Sequence, residues 1–148
     1  MSIDGSLTVL LTIKDRQPFT FRWMKYANDV SFPFRVLIAD GGKDTVVSQK
    51  LSDYGSFPNV DYEYIRYPYD KTYPDYFAKL ADLVSRVKTP YLVFVDDDDF
   101  VLPEGLRSCV KFLDSDLDYI SCGGRMSKFF IRPDANLTYG EDVEFILL

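Results

Sequence analysis

The sequence contains no histidine, which removes Ser-His-Asp and Cys-His nucleophilic catalysis and the common histidine-based zinc sites, and leaves acid–base work to carboxylates, lysines or tyrosines. Cysteine is nearly as scarce. Cys109 and Cys122 have no metal-ligand spacing, and each falls inside a helix or strand pattern, so both read as buried free thiols. No apolar run reaches the roughly 20 residues that a membrane-spanning helix needs. The N-terminus, Met1-Ser2-Ile3-Asp4-Gly5, has no charged segment ahead of an apolar one, as a secretory leader would. A cytoplasmic chain without a membrane span is the expectation. A clustered Lys/Arg face is missing too, so nucleic acid is not expected as a direct partner.

What is present is apolar bulk and one concentrated block of charge. The 148 residues are 47% hydrophobic and 16% aromatic, enough for one well-filled domain over residues 1–148, with no repeat, linker or low-complexity stretch. The net charge is −6, from 23 acidic and 17 basic residues, and setting aside Asp96, Asp97, Asp98 and Asp99 leaves 19 against 17. The acidity is therefore local. Those four residues directly follow Tyr91-Leu92-Val93-Phe94-Val95, which reads as a buried strand. One Asp could cap the helix that Pro103 opens, but four exceed what capping needs. Carboxylates crowded at a strand end repel one another at short range, and Mg²⁺ or Mn²⁺ together with substrate phosphates offsets that repulsion.

Hydrophobic periodicity predicts alternating strands and helices. Strands are expected at Leu7 to Ile13, Phe34 to Ala39, Val60 to Arg66, Tyr91 to Val95, Tyr119 to Cys122 and Lys128 to Ile131. Helices are expected from Pro18 to Ala27 and from Thr45 to Tyr54. A third should show Phe77, Leu80, Val84 and Val87 on one face, and a fourth Leu106, Val110 and Leu113. This order implies an α/β sandwich with a mostly parallel sheet, whose ligands bind at the carboxyl ends of the strands. That rule gathers Lys14-Asp15-Arg16, Asp40-Gly41-Gly42 and Asp96 to Asp99 on one rim.

The segment from Pro90 through the four aspartates to Pro103 resembles the Asp-x-Asp region of GT-A glycosyltransferases of the family 2 type. The opening strand with its polar loop, the Ile38-Ala39-Asp40-Gly41-Gly42 turn and the helix before Thr89-Pro90 follow that family's order. Gly140-Glu141-Asp142-Val143-Glu144-Phe145 is similar to its Glu-Asp motif. The resemblance implies a GT-A, Rossmann-like αβα sandwich with a mostly parallel central sheet. It also implies metal-dependent, inverting transfer of a sugar from a UDP- or GDP-sugar to a hydroxyl of a carbohydrate or glycoconjugate acceptor. It assigns Asp40 to the nucleobase, Asp15 to the loop closing over the nucleotide, Asp96 or Asp97 to the ribose and Asp98 to Mn²⁺ or Mg²⁺. Asp142 becomes the base that deprotonates the acceptor, and Glu141 the residue that orients it.

Lys14, Arg16, Lys71 and Lys79 are candidates for diphosphate or base, with Lys79 on the helix face turned toward the nucleotide. Tyr67, Tyr69, Tyr73 and Tyr76 form either a sugar-stacking lid or ordinary edge packing. The sequence departs from the family pattern in two respects. The stretch from Gly124 to Gly140 is short for an acceptor region, and the sequence ends at Leu148, soon after the Glu-Asp motif. The acceptor half is therefore expected to be missing, the sequence being a minimal donor-binding domain, a fragment of a longer chain, or a protein that completes its site with a partner subunit or a second copy, with the apolar Val143 to Leu148 packing on the sheet or on a neighbour. The alternative function is a nucleotide-sugar-binding or interaction module without transfer. A nucleotidyltransferase is disfavoured because Lys14 to Pro18 holds no glycine. A phosphatase-like hydrolase is disfavoured because the acidic run follows the fourth strand and not the first.

Overall fold

The computed structural model describes residues 2–115 and 118–125, and the backbone of 127–131 and 143–147. Its elements in chain order are β1 (Leu7–Ile13), α1 (Gln17–Asp29), β2 (Arg35–Asp40), α2 (Thr45–Ser52), β3 (Tyr62–Arg66), α3 (Tyr73–Ser85), β4 (Tyr91–Asp96), α4 (Pro103–Ser115), β5 (Ser127–Ile131) and β6 (Val143–Leu147). The first four strands form one parallel sheet in the order β3-β2-β1-β4. With β1 in the interior, all seven of its residues are buried, which is why Leu7 to Ile13 reads as a β-rich apolar run without polar alternation beyond two threonines.

The period of two sorts the strand residues between two cores. Val9, Leu11 and Ile13 of β1, with Val36 and Ile38 of β2, face Trp23, Met24 and Ala27 of α1, Val47 and Leu51 of α2, and Val110 of α4. Leu10, Leu37 and Ala39 point the other way, against Leu83 of α3. The result is the expected sandwich of helices on both faces of a parallel sheet. Fully burying each large apolar side chain contributes about 1.5–3 kcal/mol, and Trp23, Phe34 and Leu11 are the largest fully buried side chains on the first face. Local signals start the helices. Asp44 caps α2 by accepting from Val46 N and Val47 N at 2.8 and 3.1 Å, and Thr72 with Asp75 forms a capping box on α3.

Three expectations need correction. Tyr119 to Cys122 is irregular, not a strand, and Ile120 is 98% exposed. These four residues, followed by Gly123-Gly124, join no strand among the described residues, and Tyr119 packs instead on Phe112 of α4 with ring centroids 5.2 Å apart. Cys122 is thus not in a strand, and both thiols are free and only half-buried. The second correction concerns α3. It turns Lys79 and Leu83 inward and leaves Phe77 and Val84 exposed, because Lys79 is drawn in by a buried acid described below. Third, β5 occupies the place expected for Lys128 to Ile131, but it pairs antiparallel with β6 in a separate two-stranded sheet. Among the described residues, no helix is long and apolar enough to cross a membrane.

Candidate functional site

Because the four sheet strands are parallel, the loops after β1, β2, β3 and β4 all leave from one rim, and hydrogen bonds tie them together there. Thr12 and Asp96 are register partners on β1 and β4, and the Thr12 hydroxyl donates to Asp96 Oδ1 at 3.0 Å. The alternation of β4 runs one residue past the strand, with Val95 buried, Asp96 exposed and Asp97 buried. Asp97 therefore turns inward and accepts from the Thr20 hydroxyl at 2.9 Å. Burial pushes its carboxyl above the usual aspartate range, against the opposing effect of Thr20. A turn closed by Asp99 N to Asp96 O at 3.1 Å then folds the chain back.

That turn places one carboxylate oxygen each from Asp96, Asp98 and Asp99 within 4.8 Å of one another. Asp98 accepts from Arg16 Nη2 at 2.8 Å, while Arg16 Nη1 lies 3.6 Å from Asp97. The arginine hydrogen bond holds the Asp98 carboxyl below the usual range. Burial, then the charges of Asp98 and Asp96, raises Asp99. Three hard oxygen donors on one turn suit Mg²⁺ or Mn²⁺. The sequence could not separate Asp97 from its neighbours; the structure does, by turning it away from this group.

On the other half of the rim, Asp40 is 2% exposed at the end of β2. Its Oδ1 accepts from Gly42 N at 2.7 Å, and its Oδ2 accepts from the Tyr64 hydroxyl at 2.6 Å and from Arg66 Nη1 at 2.5 Å. Burial and the Asp40 bond push the Tyr64 hydroxyl up to about 12. Asp15, at φ 51°, sits in the left-handed region and turns its carboxylate onto the β2 loop. It accepts there from Lys43 N and from Asp44 N, the latter at 3.0 Å. The backbone must approach closely for this: a Cβ on Gly42 would lie 2.7 Å from Asp15 Oδ1.

Lys79 is 3% exposed and pairs with Asp70, itself 4% exposed, at 2.5 Å. The Asp70 carboxylate fills the space a side chain on Gly41 would need, since a Cβ there would meet its atoms at 2.2 to 2.5 Å. Lys14 Nζ donates to Asp70 O at 2.5 Å and lies 4.8 Å from the Tyr69 ring centroid, with Lys43 Nζ 4.1 Å from the same ring. Lys71 is exposed at the start of the α3 cap. Of the aromatic segment, Tyr67 donates to Asp82 at 2.5 Å, and Tyr73 is 79% exposed. Glu141 and Asp142 lie outside the described residues.

Sequence reasoning missed Tyr64, Arg66 and Asp70. The first two are i and i+2 on β3, and Arg66 is the register partner of Asp40, a signal available only once the strand order is known. Asp70 lies in the irregular loop between β3 and α3, and nothing in the sequence marks it.

The family model described as glycosyl transferase family 2 matches residues 30–141. Among solved structures, the crystal structure of S. aureus TarS superposes with a TM-score of 0.56 at 16% identity, covering 74% of this chain and 20% of that one. The crystal structure of S. aureus TarS 1-349 gives 0.57 at 16% identity, covering 74% and 32%. The chain thus spans about a fifth to a third of the length of these neighbours. No curated protein sequence matches it.

Proposed function

This chain belongs to glycosyl transferase family 2, and on that premise we propose that it transfers a sugar from a nucleotide-diphosphate donor to an acceptor hydroxyl, with a divalent cation and with inversion at the anomeric carbon. The observation that carries the reading is the convergence of Asp96, Asp98 and Asp99 at the rim of a parallel sheet, opposite the Asp40–Tyr64–Arg66 cluster. Asp98, flanked by Asp96 and Asp99, would hold Mn²⁺ or Mg²⁺. A cation bound there supplies charge compensation for the diphosphate as leaving group.

The chain's own residues divide the remaining work. Asp40 holds Tyr64 and Arg66 in place at the rim, and Arg66, with its side chain 36% exposed, presents donors to the acceptor atoms of a nucleobase. Asp15 fixes the β1 and β2 loops together beneath the nucleotide. Asp96 is positioned by Thr12 to accept from a ribose hydroxyl, and Asp97 anchors the turn from inside. Lys79 acts at one remove, by holding Asp70 and the loop after β3. In the transfer step the acceptor oxygen bonds to the anomeric carbon as the bond to the diphosphate oxygen breaks. Asp142 takes the acceptor proton, and Glu141 accepts hydrogen bonds from neighbouring hydroxyls.

Calorimetric titration of UDP and GDP, with Mn²⁺ and then with EDTA, tests the donor site. Binding that needs the metal supports the reading and identifies the base. Equal binding with and without metal refutes the cation's role. Binding without transfer to any acceptor makes the chain a nucleotide-sugar-binding module.

A further inference from the structure

Arg16 is hydrogen-bonded to the acidic group. Its Nη2 donates to Asp98 Oδ2 at 2.8 Å, and its Nη1 is 3.6 Å from Asp97 Oδ1. The guanidinium carbon also lies 4.3 Å from the Phe19 ring centroid. Arg22 adds a longer-range positive charge to Asp98. Arg16 follows Asp15, whose positive φ and bonds to the β2 loop fix the turn, so the root of the side chain is held. Its end is not enclosed, being 43% exposed.

The same carboxylate thus serves two purposes. Asp98 is one of three acids whose oxygens approach one another closely enough to share a cation, and it is the acid that Arg16 binds. A guanidinium and a divalent cation on one carboxylate repel each other, and each claims its oxygens. We infer that Arg16 is an internal counter-ion that competes with the divalent cation for Asp98 and yields the carboxylate when the cation binds. The inference rests on the metal assignment made under the proposed function. Its consequence is a cation site held deliberately weak, and an arginine fork that becomes free for an anion on the same rim when the cation enters.

The test is Mn²⁺ alone, titrated into the protein with free Mn²⁺ followed by electron paramagnetic resonance. The chains compared are the parent, Arg16→Gln, Arg16→Lys and Asp98→Asn. Arg16→Gln releases Asp98 and removes a positive charge, so it should bind Mn²⁺ about fivefold more tightly, the factor matching loss of a competing, half-exposed ion pair. Arg16→Lys keeps the charge without the planar fork and should fall between parent and Arg16→Gln. Asp98→Asn should bind more weakly than the parent. Circular dichroism confirms that each chain is folded, and if Arg16→Gln does not fold, Arg16→Lys carries the comparison. Arg16→Gln, or Arg16→Lys where the former does not fold, binding as tightly as the parent or less tightly, while the parent binds, overturns the exchange; Asp98→Asn binding as tightly as the parent overturns the metal assignment on which it rests. Failure of every chain to bind Mn²⁺ overturns both.

Discussion

Replacing Lys79 with methionine should cost this protein a large share of its stability. Lys79 and Asp70 pair at 2.5 Å with side chains only 2% and 5% exposed, so neither charge has water to fall back on. Removing one partner of a buried pair leaves the other desolvated and unbalanced, at about 3–5 kcal/mol. For a chain of this size each kcal/mol moves the melting temperature by about 2–4 °C, so Lys79→Met should melt roughly 10–15 °C below the parent. Added salt should change the loss little, because ions do not reach the pair. Asp70→Asn should behave similarly, by stranding the ammonium. The double variant should recover much of the loss, because neither charge is then left alone. Thermal melts of the four chains followed by circular dichroism measure the coupling directly. If Lys79→Met melts within about 2 °C of the parent, or if the single losses simply add in the double variant, the pair does not stabilise the fold as argued.

Gly41→Ala tests the same place from the backbone side. Its Cβ would meet the buried Asp70 carboxylate, and overpacking should cost about 1–3 kcal/mol in urea unfolding. In ultraviolet titration, Tyr62, Tyr64 and Tyr67 should ionise near 12, mainly because of burial. Their folded values lie above the ordinary 10.0, so the stability they contribute is full below pH 10 and is lost as the pH rises toward 12. Tyr64→Phe should remove one of the late-ionising groups from that titration. Asp98→Ala should abolish Mn²⁺-dependent nucleotide binding in calorimetry. Asp142→Asn should preserve that binding and stop transfer in a donor-consumption assay, and retained transfer would exclude Asp142 as the base.

The parts of the fold legible in the sequence are those where burial acts on both faces. Leu7 to Ile13 and Phe34 to Ala39 stand out because every position after Arg35 in the two strands is covered. The rim loops were placed correctly for the same reason, since strand direction determines which end they leave from. The face of α3 was misread because Lys79 looks polar, yet its buried partner makes it an inward residue. Tyr119 to Cys122 was misread because β propensity holds only where a neighbouring strand or a core rewards it. Within the site, the acidic run was plain, but its division into one inward and three clustered aspartates depends on a turn formed after the strand. The Arg16–Asp98 contact joins residues 82 positions apart, and no local pattern reports it.

The strand order β3-β2-β1-β4 also sets the sequence in which the site can be made. As the chain emerges from its N-terminus, β1, β2 and β3 can pair with one another while β4 is still unsynthesised. Until then β1 is an edge, and Thr12, Arg16 and Thr20 have no aspartates to meet. Pairings that span 77 to 84 residues close late and slowly, because the loop entropy must be overcome before their contacts form. The acidic turn therefore reaches its partners in the same event that covers the second edge of β1. Assembly of the acidic half of the site and completion of the four-stranded sheet thus coincide, and a nascent chain that ends before residue 91 has a sheet whose rim lacks the acidic turn.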